Sequence, residues 1–431
     1  MMTRVRQVEF PYQAMSWHYA PMYRPFDPLA RLRAADAWRA AAGLRRHLVP
    51  REPGAGALDL ASNDYLGLSA DPRLAEAAAA AARAWGTGAT GSRLVTGTTA
   101  LHVRLEEELA AFADARAALV FSSGYLANLT AITALAAALG RGGGQASGDS
   151  GGVLIVSDER NHASLIDGCR LARGPGVRVQ VTPHRDTAAV AAALAGRREE
   201  AALVVTDAVF SVSGGLAPLA ALHALARKHG ALLLIDEAHS FGVLGEGGRG
   251  AAYDAGIARE PDVVRTITLS KSLAGQGGAV LAANEVTRTL VDTGRGFIFD
   301  TGLAPPAAGA AFAALAALRD DPSLPARARD NAARLASVAA ALGLTVTTPD
   351  AAVAAVILGE PRAAVAAQHT CADRGVRVGC FRPPAVPDGQ ACLRLTGRAT
   401  LSENDFDVAW RVLAVVRDHC PNTAQAGRNT P

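Results

Sequence analysis

Lys228 and Lys271 are the only lysines among 43 basic side chains; the rest are arginine. With the abundance of Ala and Gly, this bias points to a GC-rich genome that replaces lysine wherever charge alone matters. A lysine retained under that pressure is wanted for its amine, which forms imines as a guanidinium cannot. Lys228 sits in the charged helix end Arg227-Lys228-His229 and reads as a surface residue. Lys271 lies in the stretch from Thr268 to Gly278 (TLSKSLAGQGG), just past an apolar strand. Glycines and serines there let backbone approach a ligand. A lysine at a strand end of an α/β sheet points into the crevice where such folds bind ligands.

Asp236-Glu237-Ala238-His239 follows the apolar run Ala231–Ile235, 35 residues before Lys271. A buried aspartate needs a cationic partner. A protonated pyridine nitrogen is one such partner, and His239 is spaced to reach a ring oxygen of the same ligand. Asp-x-x-His alone also fits a metal site or a satisfied core histidine. Ser122-Ser123-Gly124-Tyr125-Leu126-Ala127-Asn128 reads as a strand-to-helix turn, whose free backbone N–H groups suit a phosphate or an ordinary cap. His162 follows another strand and is placed either to stack on a flat ring or to sit exposed beside a cap by Asn161. Gly86-Thr87-Gly88-Ala89-Thr90-Gly91 matches GxGxxG, but it follows a helix and lacks the downstream acid, so a dinucleotide site is excluded.

The elements that must position these residues alternate regularly. Apolar, β-branched runs occur at Ala118–Ser122, Val153–Ser157, Val177–Thr182, Ala202–Thr206, Ala231–Asp236 and Val263–Leu269. Helical patterns separate most of them, which predicts an α/β fold with a largely parallel sheet between helices. Ahead of them lie a helical pattern from Pro28 to His47 and a short strand at Ala57–Ala61. Beyond Pro305-Pro306 come two long helices, three short strands and a final helix over Glu403–His419, predicting a smaller α+β part. Gly140–Gly152 reads as a Gly/Ser-rich surface loop. The first 25 residues hold all four methionines and three of six tyrosines, without a secretory pattern.

Half of the residues are hydrophobic and 19% are charged, enough for a large core. A net charge of +3 gives no basic stripe for nucleic acid, and no apolar run is long enough for a membrane span. Five scattered cysteines argue against a disulfide framework or a zinc site. A reduced, cytoplasmic setting is expected.

Together these stretches resemble the α-oxoamine synthases, a branch of the fold-type I pyridoxal-5′-phosphate (PLP) enzymes. The resemblance runs from about Pro28 to the final helix. It rests on Ser62–Leu68 (SNDYLGL), Gly88–Gly97 (GATGSRLVTG), Ser123–Asn128 (SGYLAN), Asn161–Leu165 (NHASL), Asp236–His239 (DEAH), Thr268–Gly278 and Arg382–Pro387 (RPPAVP) followed by Leu393–Thr396. It implies that Lys271 joins PLP as an imine, that Asp236 pairs with the pyridine nitrogen, and that His239, helped by Ser211, meets the ring hydroxyl. His162 is implied to stack on the ring. The phosphate is implied to take Gly124, Tyr125, Thr268 and, from a partner subunit, Thr301. Arg394 is implied to grip an amino-acid carboxylate beside Asn63, with Arg45 near the acyl donor.

The implied reaction joins L-alanine to a pimeloyl thioester of coenzyme A or acyl carrier protein. It yields 8-amino-7-oxononanoate, CO2 and free thiol for biotin synthesis, in a homodimer. Residues 1–27 then read as a disordered extension and 28–74 as an N-terminal segment. A large PLP-binding domain follows over 75–305, a small C-terminal domain over 306–420 and a tail over 421–431. Ser211-Val212-Ser213-Gly214-Gly215 and Ser240-Phe241 depart from the family pattern. These departures keep open a sister activity: a 2-amino-3-oxobutyrate ligase, a 5-aminolaevulinate synthase-like enzyme or an acyl condensing enzyme of secondary metabolism. A non-catalytic subunit of the same fold is disfavoured by the intact Lys271, Asp236 and His239.

Overall fold

The computed structural model describes residues 27–54, 56–140 and 151–419. The expectations for the N-terminal extension, for the loop inside Gly140–Gly152 and for the C-terminal tail lie outside the described residues. The chain forms two compact units, Met1–Leu48 and Val49–Pro431. In the first, the pattern from Pro28 to His47 resolves into a helix over Ala30–Ala41 with no buried side chain. Gly43 then turns the chain in the left-handed region, at φ 69°.

The second unit contains two sheets. Its strands are β1 (Leu58–Leu60), β2 (Ala117–Phe121), β3 (Val153–Asp158), β4 (Val177–Thr182), β5 (Ala201–Asp207), β6 (Leu232–Asp236), β7 (Val263–Thr268), β8 (Gly278–Ala282), β9 (Val353–Gly359), β10 (Val376–Phe381) and β11 (Ala391–Thr396). The larger sheet runs β2-β8-β7-β6-β5-β3-β4. Among the described residues β8 is its one antiparallel strand. Strands β3, β5, β6 and β7 are buried nearly throughout, as expected for a parallel sheet covered on both faces. Their side chains alternate between two cores. Leu203, Leu234 and Val264 face the helices Gly124–Gly140 and Ala163–Ala172, while Val204, Leu233, Ile235 and Val263 face the opposite side. The smaller sheet, β1-β10-β11-β9, packs its own apolar cluster against the helices Leu324–Ala341, Pro361–Ala372 and Glu403–His419.

The expected strands and helices stand within a few residues of their places. Strand β8 was not anticipated, because Gly278 extends a glycine-rich run. That glycine is required: a Cβ there would lie 2.5 Å from Gly124 N and Cα, where the Gly124–Gly140 helix begins. The helix Asn284–Thr293 was hidden by its Val and Thr content, yet buries Val286 and Leu290 one turn apart. The helix Pro361–Ala372 was hidden because its buried face is only Ala364, Ala367 and Cys371.

Candidate active site

The parallel strands β5, β6 and β7 deliver their C-terminal ends to one cavity. Asp236 ends β6, on the same face as Leu234. Its carboxylate accepts hydrogen bonds from Asn128 Nδ2 (2.7 Å) and from the Ala238 backbone N–H (2.8 Å). Asn128 is itself fixed: its Nδ2 donates to Ser164 Oγ at 2.9 Å, and its Oδ1 accepts from Thr266 at 2.5 Å. Asp207, ending β5, is buried, and burial with Asp236 nearby raises its pKa well above the ordinary carboxylate value. It accepts the His162 backbone N–H at 2.6 Å. His162 caps the helix Ala163–Ala172, its ring bonded to Ser164 Oγ at 2.7 Å and its pKa lowered by burial.

Lys271 follows β7 in a tight loop closed by Leu269 N–H to Gly277 carbonyl and Ala274 N–H to Lys271 carbonyl. Its Nζ lies 2.9 Å from His239 Nε2. Burial lowers its pKa to about 8, with Arg394 pushing the same way and Asp236 and Asp207 opposing. His239 is held well below its usual value, first by burial and then by Lys271, Arg394 and His162. From the imidazole a buried chain continues. His239 Nδ1 meets Tyr65 Oη at 2.5 Å, and Tyr65 donates to Asn63 Oδ1 at 3.2 Å. Arg394 Nη2 donates to that same oxygen at 2.7 Å. Arg394 projects from β11, donates Nη1 to the Ser211 carbonyl at 3.0 Å and lies over the Phe381 ring. Its Nε is buried without a partner, as a site awaiting a carboxylate would be.

The cavity fits the expected cofactor on three counts. The buried Asp236 carboxyl takes its hydrogen bonds from neutral donors only, with no ion pair in contact among the described residues. The helix start at Gly124–Tyr125 presents backbone N–H groups beside Thr268 and Ser270, whose hydroxyls lie 2.7 Å apart. Gly124 leaves this cradle open, for a Cβ there would stand 3.1 Å from Thr268. Lys271, Asp236, His239, His162, Gly124, Tyr125 and Thr268 therefore share one cavity. Asn63 and Arg394 join it through Tyr65. Ser211 is linked by its carbonyl to Arg394. Thr301 is exposed, bridged to Ser92. Arg45 belongs to the first unit, where it pairs with Asp36 at 3.1 Å. Asn128, Asp207 and Tyr65 were given no role from the sequence, although Asn128 was legible as a lone amide in the Ala- and Leu-rich helix Gly124–Gly140.

Residues 55–413 match the family Aminotransferase class I and II. The 8-amino-7-oxononanoate synthase of Mycolicibacterium vanbaalenii is 56% identical over 390 residues, covering 90% of this chain and 97% of that protein. The one of Mycolicibacterium smegmatis is 54% identical, with the same coverage. Among solved structures, a serine palmitoyltransferase from S. paucimobilis aligns with a TM-score of 0.82 at 28% identity, over 92% of this chain and 99% of that one. An 8-amino-7-oxononanoate synthase from Francisella tularensis aligns with a TM-score of 0.68 at 26% identity, over 84% and 98%. The chain belongs to the class I and II aminotransferase family, among its 8-amino-7-oxononanoate synthases.

Proposed function

We propose that this protein is a PLP-dependent enzyme that condenses L-alanine with a pimeloyl thioester to 8-amino-7-oxononanoate, releasing CO2 and free thiol, for biotin synthesis. The observation that carries the reading is the continuous chain from the Lys271 amine, through His239, Tyr65 and Asn63, to the Arg394 guanidinium. A proton-accepting amine and a carboxylate clamp are thereby held in one rigid frame, as an amino-acid condensation requires. When bound, PLP supplies the electron sink for a carbanion at Cα.

The chain's own groups do the rest. With PLP bound, Asp236 would hold a positive ring nitrogen, His162 would lie against the ring, and Gly124, Tyr125 and Thr268 would take the phosphate. Arg394, steadied by Asn63 and the Ser211 carbonyl, grips the alanine carboxylate through its unpartnered Nε. Lys271 Nζ, with its pKa brought down to about 8, accepts the Cα proton near neutral pH. Arg45 is assigned to the acyl donor. Thr301 is assigned to the phosphate of a second copy of the chain. Exposed Leu94, Val95 and Phe299 near the Ser92–Thr301 bridge support such a homodimer.

The purified protein is expected to be yellow, and Lys271→Ala to lose the visible band. A wild type that cannot take up PLP would sink the reading. CO2 release is expected with L-alanine only when pimeloyl thioester is added. If glycine or serine serves much better than alanine, the biotin assignment fails.

A further inference from the structure

Tyr65 occupies the midpoint of the buried chain and is fully shielded from solvent. Its hydroxyl touches His239 Nδ1 on one side and Asn63 Oδ1 on the other, while His239 Nε2 touches Lys271 Nζ. Burial holds the His239 pKa well below its usual value, and a neutral imidazole carries one N–H. That proton has two possible places. On Nδ1, the ring donates to Tyr65, Tyr65 donates to Asn63, and the Nε2 lone pair faces Lys271. On Nε2, the ring donates to Lys271, which must then be a neutral amine, and Tyr65 donates to Nδ1. An ammonium has three donors and no acceptor, so charged Lys271 is compatible only with the first arrangement.

Asn63 makes the first arrangement available to Tyr65. Asn63 Oδ1 is an acceptor beyond doubt of orientation, because Arg394 donates to it at 2.7 Å. It therefore gives the Tyr65 proton a place to go, and frees Oη to accept from Nδ1. We propose that Tyr65 is a positioning residue that holds His239 in its Nδ1–H form and thereby sets the proton affinity of the Lys271 amine. Charged groups facing Lys271 from other elements are Asp236 on β6 and Asp207 on β5, which favour its charge, and Arg394 on β11, which opposes it. His162 faces it from the start of the Ala163–Ala172 helix. Tyr65's share of the control passes through the imidazole, with Arg394 fixing the Asn63 oxygen that takes the Tyr65 proton. The inference rests on Lys271 being the base of the proposed reaction.

The test uses cofactor-free full-length protein. Acetylation of Lys271 by acetic anhydride is followed against pH, with exposed Lys228 as the reference within the same chain. The wild-type midpoint is expected near 8. In Tyr65→Phe, Nδ1–H has no acceptor, so the proton moves to Nε2 and donates to the neutral amine. The Lys271 midpoint is then expected to fall by about one pH unit, a roughly tenfold drop in proton affinity. An unchanged midpoint in folded Tyr65→Phe overturns the proposal. Nitrogen-15 NMR of wild-type His239, assigned by loss of its signals in His239→Gln, reads the tautomer directly. A protonated Nδ1 supports the proposal; a protonated Nε2 overturns it, whether or not the phenylalanine variant folds. PLP uptake and condensation by the wild type are measured separately, so failure here leaves the proposed reaction standing.

Discussion

Asp236 and Glu237 are adjacent carboxylates at one strand end, and they face opposite ways. Glu237 is fully buried against Arg265, also fully buried, at 2.6 Å. Its other oxygen accepts the Ala252 N–H at 2.8 Å, and Arg265 donates Nη1 and Nη2 to the carbonyls of Ala113 and Arg249. That cluster is complete in itself. Asp236 instead receives only neutral donors, from Asn128 and Ala238, and its free side opens on the cavity. The backbone at this strand end thus turns one carboxylate to an arginine in contact with it and the other to the cavity that Lys271 also lines. A buried carboxylate with no ion pair in contact is a stronger pointer to function than a paired one.

The contrast can be broken at each end. Asp236→Asn is expected to lower kcat/KM at least about a hundredfold while leaving the melting temperature of the cofactor-free protein nearly unchanged. A large loss of stability without loss of turnover would reverse the assignment of the two acids. Glu237→Gln is expected to do the opposite. It strands the Arg265 charge in the core, costing about 3–5 kcal/mol in urea unfolding, while the protein that remains folded keeps its turnover. Replacing both Glu237 and Arg265 by apolar residues is expected to recover much of that loss. Should the double variant be no more stable than the single one, the cluster is not a self-contained pair. Asn128→Ala is the mildest probe. It removes one hydrogen bond from the Asp236 carboxylate and one partner each from Ser164 and Thr266, and PLP affinity is expected to weaken about tenfold, measured by fluorescence titration on protein that circular dichroism shows to be folded.

Much of this is legible in the sequence. Strands β3 to β7 read plainly as β-branched apolar runs, and Lys271 and Asp236 announced themselves by following such runs. What stayed hidden has a common cause. Tyr65 and Asp207 act through partners far away in sequence: His239 Nδ1 lies 174 positions from Tyr65, and the His162 N–H 45 positions from Asp207. Local spacing carries no trace of such pairings. Strand β8 escaped for a different reason, since a glycine demanded by close backbone approach erased the strand pattern at its start. Thr301, assigned by resemblance to a neighbouring subunit, lies on the surface of its own chain.

Strand β1 lies beside β10, with Leu58 opposite Val376, and Asn63 meets Arg394 across 331 positions. This seam has a consequence for how the protein comes into being. During synthesis the segment holding Asn63 emerges early and must wait for nearly the whole remaining chain before its partner strand leaves the ribosome. The larger sheet can begin to assemble in the meantime, because its parallel neighbours follow one another closely. The carboxylate clamp is therefore the last part of the pocket to close, and a nascent or prematurely terminated chain carries the lysine without the arginine that would let it select a substrate.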